Sequence, residues 1–180
     1  MTGAERAAAL TQARPSEETT GSRLPESHRK ALSVLAGRLA GADVRWAVTG
    51  STAFALHGVA VVPRDLDIST DRRGAYALER LCVDQVLEPV RPCVSERLRT
   101  LRGLLSVEGV PVEIVGDIRR RLPSGGWGRP MDPLRHAVVL KIDGLQVPVL
   151  TPMYLHRAYM HLGRAEKAAL LQPLLLASRR

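Results

Sequence analysis

The sequence predicts an α/β (α+β) domain built on one mixed β-sheet, with helices on one face and a helical pair at its C-terminus. Helix and strand patterns alternate between residues 27 and 86. Four strand patterns then follow between residues 101 and 150, in two pairs joined by short turns. After residue 150 the pattern is purely helical. This order is typical of strands that share one sheet covered by the intervening helices.

The N-terminal residues 1–26 are rich in Ala, Thr, Glu and Ser and lack apolar periodicity, which predicts a disordered tail. The folded domain is therefore expected to cover residues 27–180. Its first helix has Ser27 as a candidate N-cap. The apolar side chains recur at helical spacing, at Ala31, Leu32, Leu35 and Leu39.

The alternating segment predicts two strands and two further helices. A short apolar strand over 45–49 leads directly into a short helix over 51–57, which Ser51 or Thr52 can cap. Residues 65–69 alternate polar and apolar side chains with a period of two, as in a half-buried strand. Residues 72–86 carry apolar side chains at helical spacing.

The second half begins with strands over 101–107 and 110–115, joined at Glu108-Gly109, and a loop over 119–133. Strands over 137–142 and 145–150 flank Asp143-Gly144, which favours a type I′ hairpin turn. Thr151-Pro152 combines an N-cap residue with proline at the first helical position. It therefore predicts a helix over 152–162, with a second helix over 165–178.

Composition excludes several classes of protein. Hydrophobic residues make up 45% of the 180 residues, enough for a sizeable core, although aromatic residues are only 3%. No apolar run reaches the ~20 residues that a membrane-spanning helix requires, and no secretory signal is visible. The two cysteines, Cys82 and Cys93, exclude a disulfide scaffold. A reduced, cytoplasmic location is the expectation.

The charge balance is basic, with 26 Lys and Arg against 18 Asp and Glu, a formal net charge of +8. Only three of the basic residues are lysines. Arginine suits bidentate contacts with phosphate, so a nucleotide or nucleic-acid partner is one interpretation. A general preference for arginine over lysine is the other.

The turn at Gly50-Ser51 joins a strand to a helix. Backbone N–H groups at such a turn point outward and favour an anion, and glycine lets a phosphate approach closely. Ser51 adds a hydroxyl donor. Without other evidence, the same two residues are also typical of an ordinary turn and cap.

Asp65 and Asp67 lie two residues apart on the predicted strand, so both carboxylates project from one face, whereas Leu66 and Ile68 face the core. Two carboxylates this close repel each other unless a positive group compensates. Mg²⁺ is a natural compensator because it prefers hard oxygen ligands and shares them with phosphates. Nearby arginines at a solvated strand end are the alternative.

Glu113 is the candidate third acid. It lies between apolar Val112 and Ile114, so strand parity directs it away from the core. If its strand lies beside the Asp65 strand, the three carboxylates converge on the open face. Asp117 is a competing acid, but it is expected beyond the end of the strand, too far along for the same metal ions.

These residues resemble the DNA polymerase beta-like nucleotidyltransferase superfamily, in particular its small stand-alone bacterial members. The family pattern is an apolar residue followed by Gly-Gly or Gly-Ser, then Asp-apolar-Asp/Glu-apolar, and later a lone acid between apolar residues. The corresponding segments are Thr49-Gly50-Ser51, Asp65-Leu66-Asp67-Ile68 and Val112-Glu113-Ile114. Thr49 departs slightly from the pattern. The resemblance covers roughly residues 30–170.

The resemblance implies transfer of a nucleoside monophosphate from an NTP, with ATP preferred, using two Mg²⁺ ions. Asp65, Asp67 and Glu113 would be the catalytic residues and metal ligands. Gly50 and Ser51 would hold the nucleotide phosphates, together with Arg64 and Lys167. For Lys167, a solvated helix charge is the competing interpretation.

The acceptor is not identified by the sequence, which leaves a small molecule, RNA and protein open. The short run Arg119 to Arg121 is consistent with a nucleic-acid backbone contact or with a solvated loop. The alternative function is a non-catalytic module with the same fold that binds nucleic acid or acts in a toxin–antitoxin-type pair. Neither a P-loop nor a dinucleotide-binding glycine motif is present in the sequence.

Overall fold

The computed structural model describes residues 24–177. The helices are α1 (Glu26–Leu39), α2 (Gly50–Leu56), α3 (Arg72–Leu81), α4 (Pro152–His161), α5 (Ala165–Ala169) and α6 (Gln172–Ala177). The strands are β1 (Trp46–Thr49), β2 (Leu66–Thr70), β3 (Val86–Val94), β4 (Leu98–Val107), β5 (Val110–Arg120), β6 (Ala137–Ile142) and β7 (Leu145–Leu150).

Within residues 24–177, seven strands form one mixed sheet in the order β3-β4-β5-β2-β1-β7-β6. The β2–β5 and β1–β7 pairs are parallel, and the other neighbours are antiparallel. This confirms the predicted mixed α/β architecture. Both hairpin turns lie where they were predicted. Asp143 and Gly144 have φ values of 48° and 81°, as the predicted type I′ turn requires.

The core lies between the sheet and the helices α1 and α3. Leu66, Ile68, Val112 and Ile114 are fully buried on this side. Gly116 has the same parity, and a Cβ atom there would come within 2.6 Å of Ala75 in α3. Helix α3 therefore packs directly on this face, and the residues of opposite parity, including Asp67 and Glu113, belong to the other face.

One strand was missed by the sequence analysis. Helix α3 ends at Leu81 rather than near residue 86, and β3 follows after a short 3-10 turn. Strand β3 contains Pro89 and Pro92 and forms one edge of the sheet. Proline cannot donate to a ladder hydrogen bond, so it is tolerated in an edge strand, where it also masks the strand pattern.

Other boundaries differ as well. The first helix begins at Glu26 with Pro25 at the N-cap position and no side-chain cap, so Ser27 is not the cap. Strand β5 continues to Arg120 because Leu98 and Arg99 of β4 pair with its end. The predicted helix over 165–178 is two helices, α5 and α6. Pro173 explains this break, because its ring lacks the N–H that a continuous helix needs.

The predicted N-terminal tail lies outside the described residues except for its last three positions. Of these, Leu24 is buried in the core, and Glu26 starts α1. Within residues 24–177, no helix is both long and apolar enough to cross a membrane. Cys82 and Cys93 are both free thiols.

Candidate active site

The open face of the sheet brings two of the predicted acids together. Strands β2 and β5 are parallel neighbours, and their register places Asp67 directly opposite Glu113. The two carboxyls are close enough for the charge of Glu113 to act on Asp67.

The pKa of Asp67 is strongly perturbed. Burial, then the charges of Asp65 and Glu113, raise its pKa to about 7, against a partial opposing effect of Arg102. Asp65 precedes the first residue of β2, and its backbone carbonyl accepts a hydrogen bond of 2.8 Å from Thr52 Oγ1. Thr52 therefore ties the start of α2 to the acidic segment.

Asp117 is not a member of this cluster. It lies within β5 rather than beyond its end, contrary to expectation. A register shift between Arg99 and Leu101 of the partner strand disturbs the ladder beside it, and its φ is 49°. The side chain is buried and forms an ion pair of 3.2 Å with Arg119. Asp117 is thus compensated by its own neighbour.

Gly50 packs closely against the acids. It has a φ of 66°, in the left-handed region that favours glycine. A Cβ atom at this position would lie 2.7 Å from Cγ of Asp67 and nearer still to Oδ2. The turn between β1 and α2 therefore requires glycine for two reasons, its backbone conformation and the close approach of Asp67. Ser51 follows on the same turn and is half-buried.

Arg102 is a site residue that the sequence analysis missed. Its guanidinium forms an ion pair with the Glu113 carboxylate. The hairpin turn at Glu108-Gly109 pairs Val107 with Val110 and so places Arg102 opposite Val115, diagonal to Glu113. Diagonal partners are within reach of a long side chain. The strand register that this predicted turn sets was therefore sufficient to predict the contact between Arg102 and Glu113.

Helix α4 lies over the open face of the sheet, on the side from which the acids project. Tyr159 packs edge-on against Phe54 of α2, with ring centroids 5.3 Å apart. Burial, followed by the negative charge of Asp67, raises the pKa of the Tyr159 hydroxyl. Lys167 places its Nζ 5.8 Å from the Tyr159 ring centroid and is exposed. Arg64 is also exposed, beside Asp65.

A cavity of about 350 Å³ separates α4 from the open face of the sheet. Gly50 and Asp67 lie at its wall, with Arg102, and Tyr154 and Tyr159 come from α4. Half of the remaining lining is aliphatic, and the other half is mostly polar or charged, including Arg120, His161 and Arg164. The two tyrosines pack against the core and also border this cavity.

Helix α4 depends on a cap that the sequence analysis identified. Thr151 Oγ1 accepts a hydrogen bond of 3.3 Å from the backbone N–H of Tyr154. Thr151→Ala should therefore lower the free energy of unfolding by about 1 kcal/mol, measured by urea denaturation at unchanged m-value. Ser124→Ala, in an exposed loop, is the control and should have no effect. An equal stability of both variants would show that this cap contributes nothing.

Comparison with known proteins points in one direction. Residues 31–171 match the family model described as aminoglycoside-2″-adenylyltransferase. A solved structure of a Thermotoga maritima protein, TM1012, assigned as a nucleotidyltransferase, is 38% identical. The match covers 89% of this chain and 99% of that one, with a TM-score of 0.77.

A second solved structure is much less similar. It is that of the Cid1 poly(U) polymerase, which is 14% identical and gives a TM-score of 0.34 over 62% of this chain and 34% of the other. The curated proteins include no significant match.

Proposed function

Since this chain belongs to the aminoglycoside-2″-adenylyltransferase family of nucleotidyltransferases, we propose that it transfers a nucleoside monophosphate from an NTP, with ATP preferred, to an acceptor hydroxyl. The observation that carries the proposal is the cluster of Asp67 and Glu113 on adjacent strands, with Asp65 beside them and Gly50 packed against Asp67.

The donor set fits a hard divalent cation. Asp65, Asp67 and Glu113 supply only oxygen ligands, which Mg²⁺ prefers. Asp67 is crowded by two like charges, an arrangement that a cation relieves. Within residues 24–177, however, no group of three or more His, Cys, Asp or Glu side chains already has the arrangement of a metal site. Glu113 must first exchange Arg102 for the cation.

The proposed roles follow from position. Two bound Mg²⁺ ions would supply charge neutralisation for the reacting phosphate and the leaving group. The turn at Gly50 would hold the nucleotide phosphates through its backbone N–H groups, and Ser51 would supply a hydroxyl donor. Arg64 precedes Asp65 in the chain, Lys167 lies near Tyr159, and both are exposed cations available to the nucleotide phosphates.

The reaction forms one bond and breaks one. The acceptor oxygen bonds to the α-phosphorus, and the bond from that phosphorus to the oxygen bridging the β-phosphorus breaks. Pyrophosphate leaves with the bonding electron pair. Glu113, free of Arg102, accepts the proton of the acceptor hydroxyl.

One observation favours the alternative function, a non-catalytic module with the same fold. The Arg102–Glu113 ion pair already neutralises the third acid. A protein that keeps this pair permanently would bind nucleic acid, or a partner in a toxin–antitoxin-type pair, without catalysis. Mg²⁺-dependent binding of ATP by the full chain separates the two functions, because only the enzyme requires it.

The proposed function is tested with labelled ATP, Mg²⁺ and separate pools of RNA, protein and small hydroxyl compounds. We expect one pool to become labelled, and labelling to stop when a chelator removes Mg²⁺. Glu113→Gln should reduce the rate by at least about 100-fold, the lower end for loss of a general base.

Glu88→Gln provides the matched control. Glu88 is an exposed strand glutamate that also pairs with an arginine, Arg91, but it lies in the edge strand β3. This variant should retain the rate of the unaltered protein. Equal rates for the two variants, or labelling that resists the chelator, would contradict the proposed function.

A further inference from the structure

A second cavity, of about 690 Å³, lies between α4 and the segment that connects β5 to β6. Four arginines line it: Arg120, Arg129, Arg135 and Arg157. The sole acid in its lining is Asp132. We call this cavity the arginine groove.

The charge of the arginine groove is not cancelled locally. Asp132 already forms ion pairs with Arg45 at 2.6 Å and with Arg135 at 3.6 Å. Arg129 and Arg157 are exposed and have no ion-pair partner within residues 24–177. The groove therefore presents unpaired guanidinium groups, which bind phosphate in a bidentate manner.

The arginine groove adjoins the active-site cavity. Ile118, Arg120 and Tyr154 line both. The active-site cavity in turn reaches Gly50 and Asp67. A chain-like molecule lying in the groove can thus place its end beside the acids.

Aromatic side chains lie beside Arg120, where the arginine groove meets the active-site cavity. The ring of Tyr154 is stacked on that of His136, with centroids 4.5 Å apart. The guanidinium of Arg120 lies 5.5 Å from the centroid of the Tyr154 ring. Basic groups interleaved with stacking surfaces are the combination that binds single-stranded nucleic acid without strong sequence preference.

We propose that the arginine groove binds a single-stranded nucleic acid, and that a terminal hydroxyl of this strand is the acceptor. This inference rests on the proposed function. The transferred nucleoside monophosphate becomes bonded through its phosphorus to the terminal oxygen of the strand, while pyrophosphate leaves and the hydroxyl proton passes to Glu113. Polycationic acceptors such as aminoglycosides are disfavoured, because the arginines of the groove repel them.

Binding is measured first, by fluorescence anisotropy of a labelled single-stranded RNA and a DNA of the same sequence, over a range of salt concentrations. The double variant Arg129→Glu with Arg157→Glu reverses two charges in the groove. The matched control is Arg72→Glu with Arg80→Glu, two exposed arginines of α3, which packs on the opposite face of the sheet.

The groove variant should bind at least about 10-fold more weakly than the control, and the slope of log affinity against log salt should fall by about 1.4, or 0.7 for each lost phosphate contact. The RNA and DNA arms show which strand is preferred. The inference is overturned if the unaltered protein binds neither strand, if both variants weaken binding equally, or if polyglutamate competes as well as the nucleic acid does.

Transfer is measured second, with labelled ATP and Mg²⁺ in the presence of the bound strand or of an aminoglycoside. Label should enter the strand and not the aminoglycoside, and the reverse result overturns the inference. Failure of the proposed function looks different. In that case the groove variant still loses nucleic-acid binding, but no acceptor is labelled and ATP binding does not depend on Mg²⁺.

Discussion

Asp67→Asn is expected to abolish nucleotidyl transfer while the protein stays folded. The amide keeps the shape of the side chain but removes the carboxylate that would hold the metal ions in the proposed function. The rate should fall by at least about 100-fold, since loss of even an outer partner of a metal ligand costs up to that much. The measurement is incorporation of label from ATP under saturating Mg²⁺.

The stability of the metal-free protein should change in the opposite direction. The negative charges of Asp65 and Glu113 repel that of the Asp67 carboxyl, and the neutral asparagine removes the charge at position 67. Relief of a like-charge contact is worth about 1 kcal/mol or more at this kind of site. The free energy of unfolding, measured in the presence of a chelator, should therefore rise by about that amount.

Asp43→Asn is the matched control for both measurements. Asp43 is an exposed aspartate that pairs with Arg73 at 3.0 Å, before β1 and outside the acid cluster. The Asp43→Asn substitution should leave the transfer rate unchanged and alter the free energy of unfolding by less than about 0.5 kcal/mol. An Asp67→Asn protein that retains transfer near the level of this control would remove Asp67 from the catalytic machinery.

Gly50→Ala should cause a comparable loss of transfer together with a loss of stability. The left-handed backbone of this residue costs alanine about 1 kcal/mol or more. In addition, the new methyl group would occupy the space of the Asp67 carboxyl. Asp67 must then move, and the acids lose their alignment with the phosphate-binding turn. Unfolding by urea and labelling from ATP test the two effects separately.

Gly41→Ala isolates the backbone contribution. Gly41 also has a positive φ, 75°, but a Cβ atom there meets nothing within 4 Å. This control should lose about 1 kcal/mol and keep its transfer rate. Gly50→Ala should lose more stability than Gly41→Ala. This difference should shrink when Asp67→Ala is added, because the carboxyl atoms that crowd the new methyl group are then gone. Identical behaviour of the two glycine variants would mean that the Gly50–Asp67 approach is unimportant.

Local patterns were sufficient for the elements that carry the acids. The alternation over 65–69 and the apolar neighbours of Glu113 identified strands β2 and β5 and the face shared by Asp67 and Glu113, although Asp65 lies just before β2. Asp143-Gly144 and Thr151-Pro152 identified a hairpin and a helix start. These predictions succeed because side-chain parity, turn conformation and capping depend on residues close together in the chain.

Long-range pairing lay beyond local patterns. That β2 and β5 are neighbours, so that Asp67 faces Glu113, depends on the order of strands across the sheet. Strand β3 was missed because its prolines are acceptable only at an edge, and the edge exists only once the sheet is assembled. The arginine groove likewise unites Arg129 and Arg157, which are far apart in the chain. The sequence by itself determines the charge of each residue and the face of a strand from which its side chain projects. Contacts between residues that are distant in the chain are decided by packing, because the helices and strands must bury their apolar faces against one another.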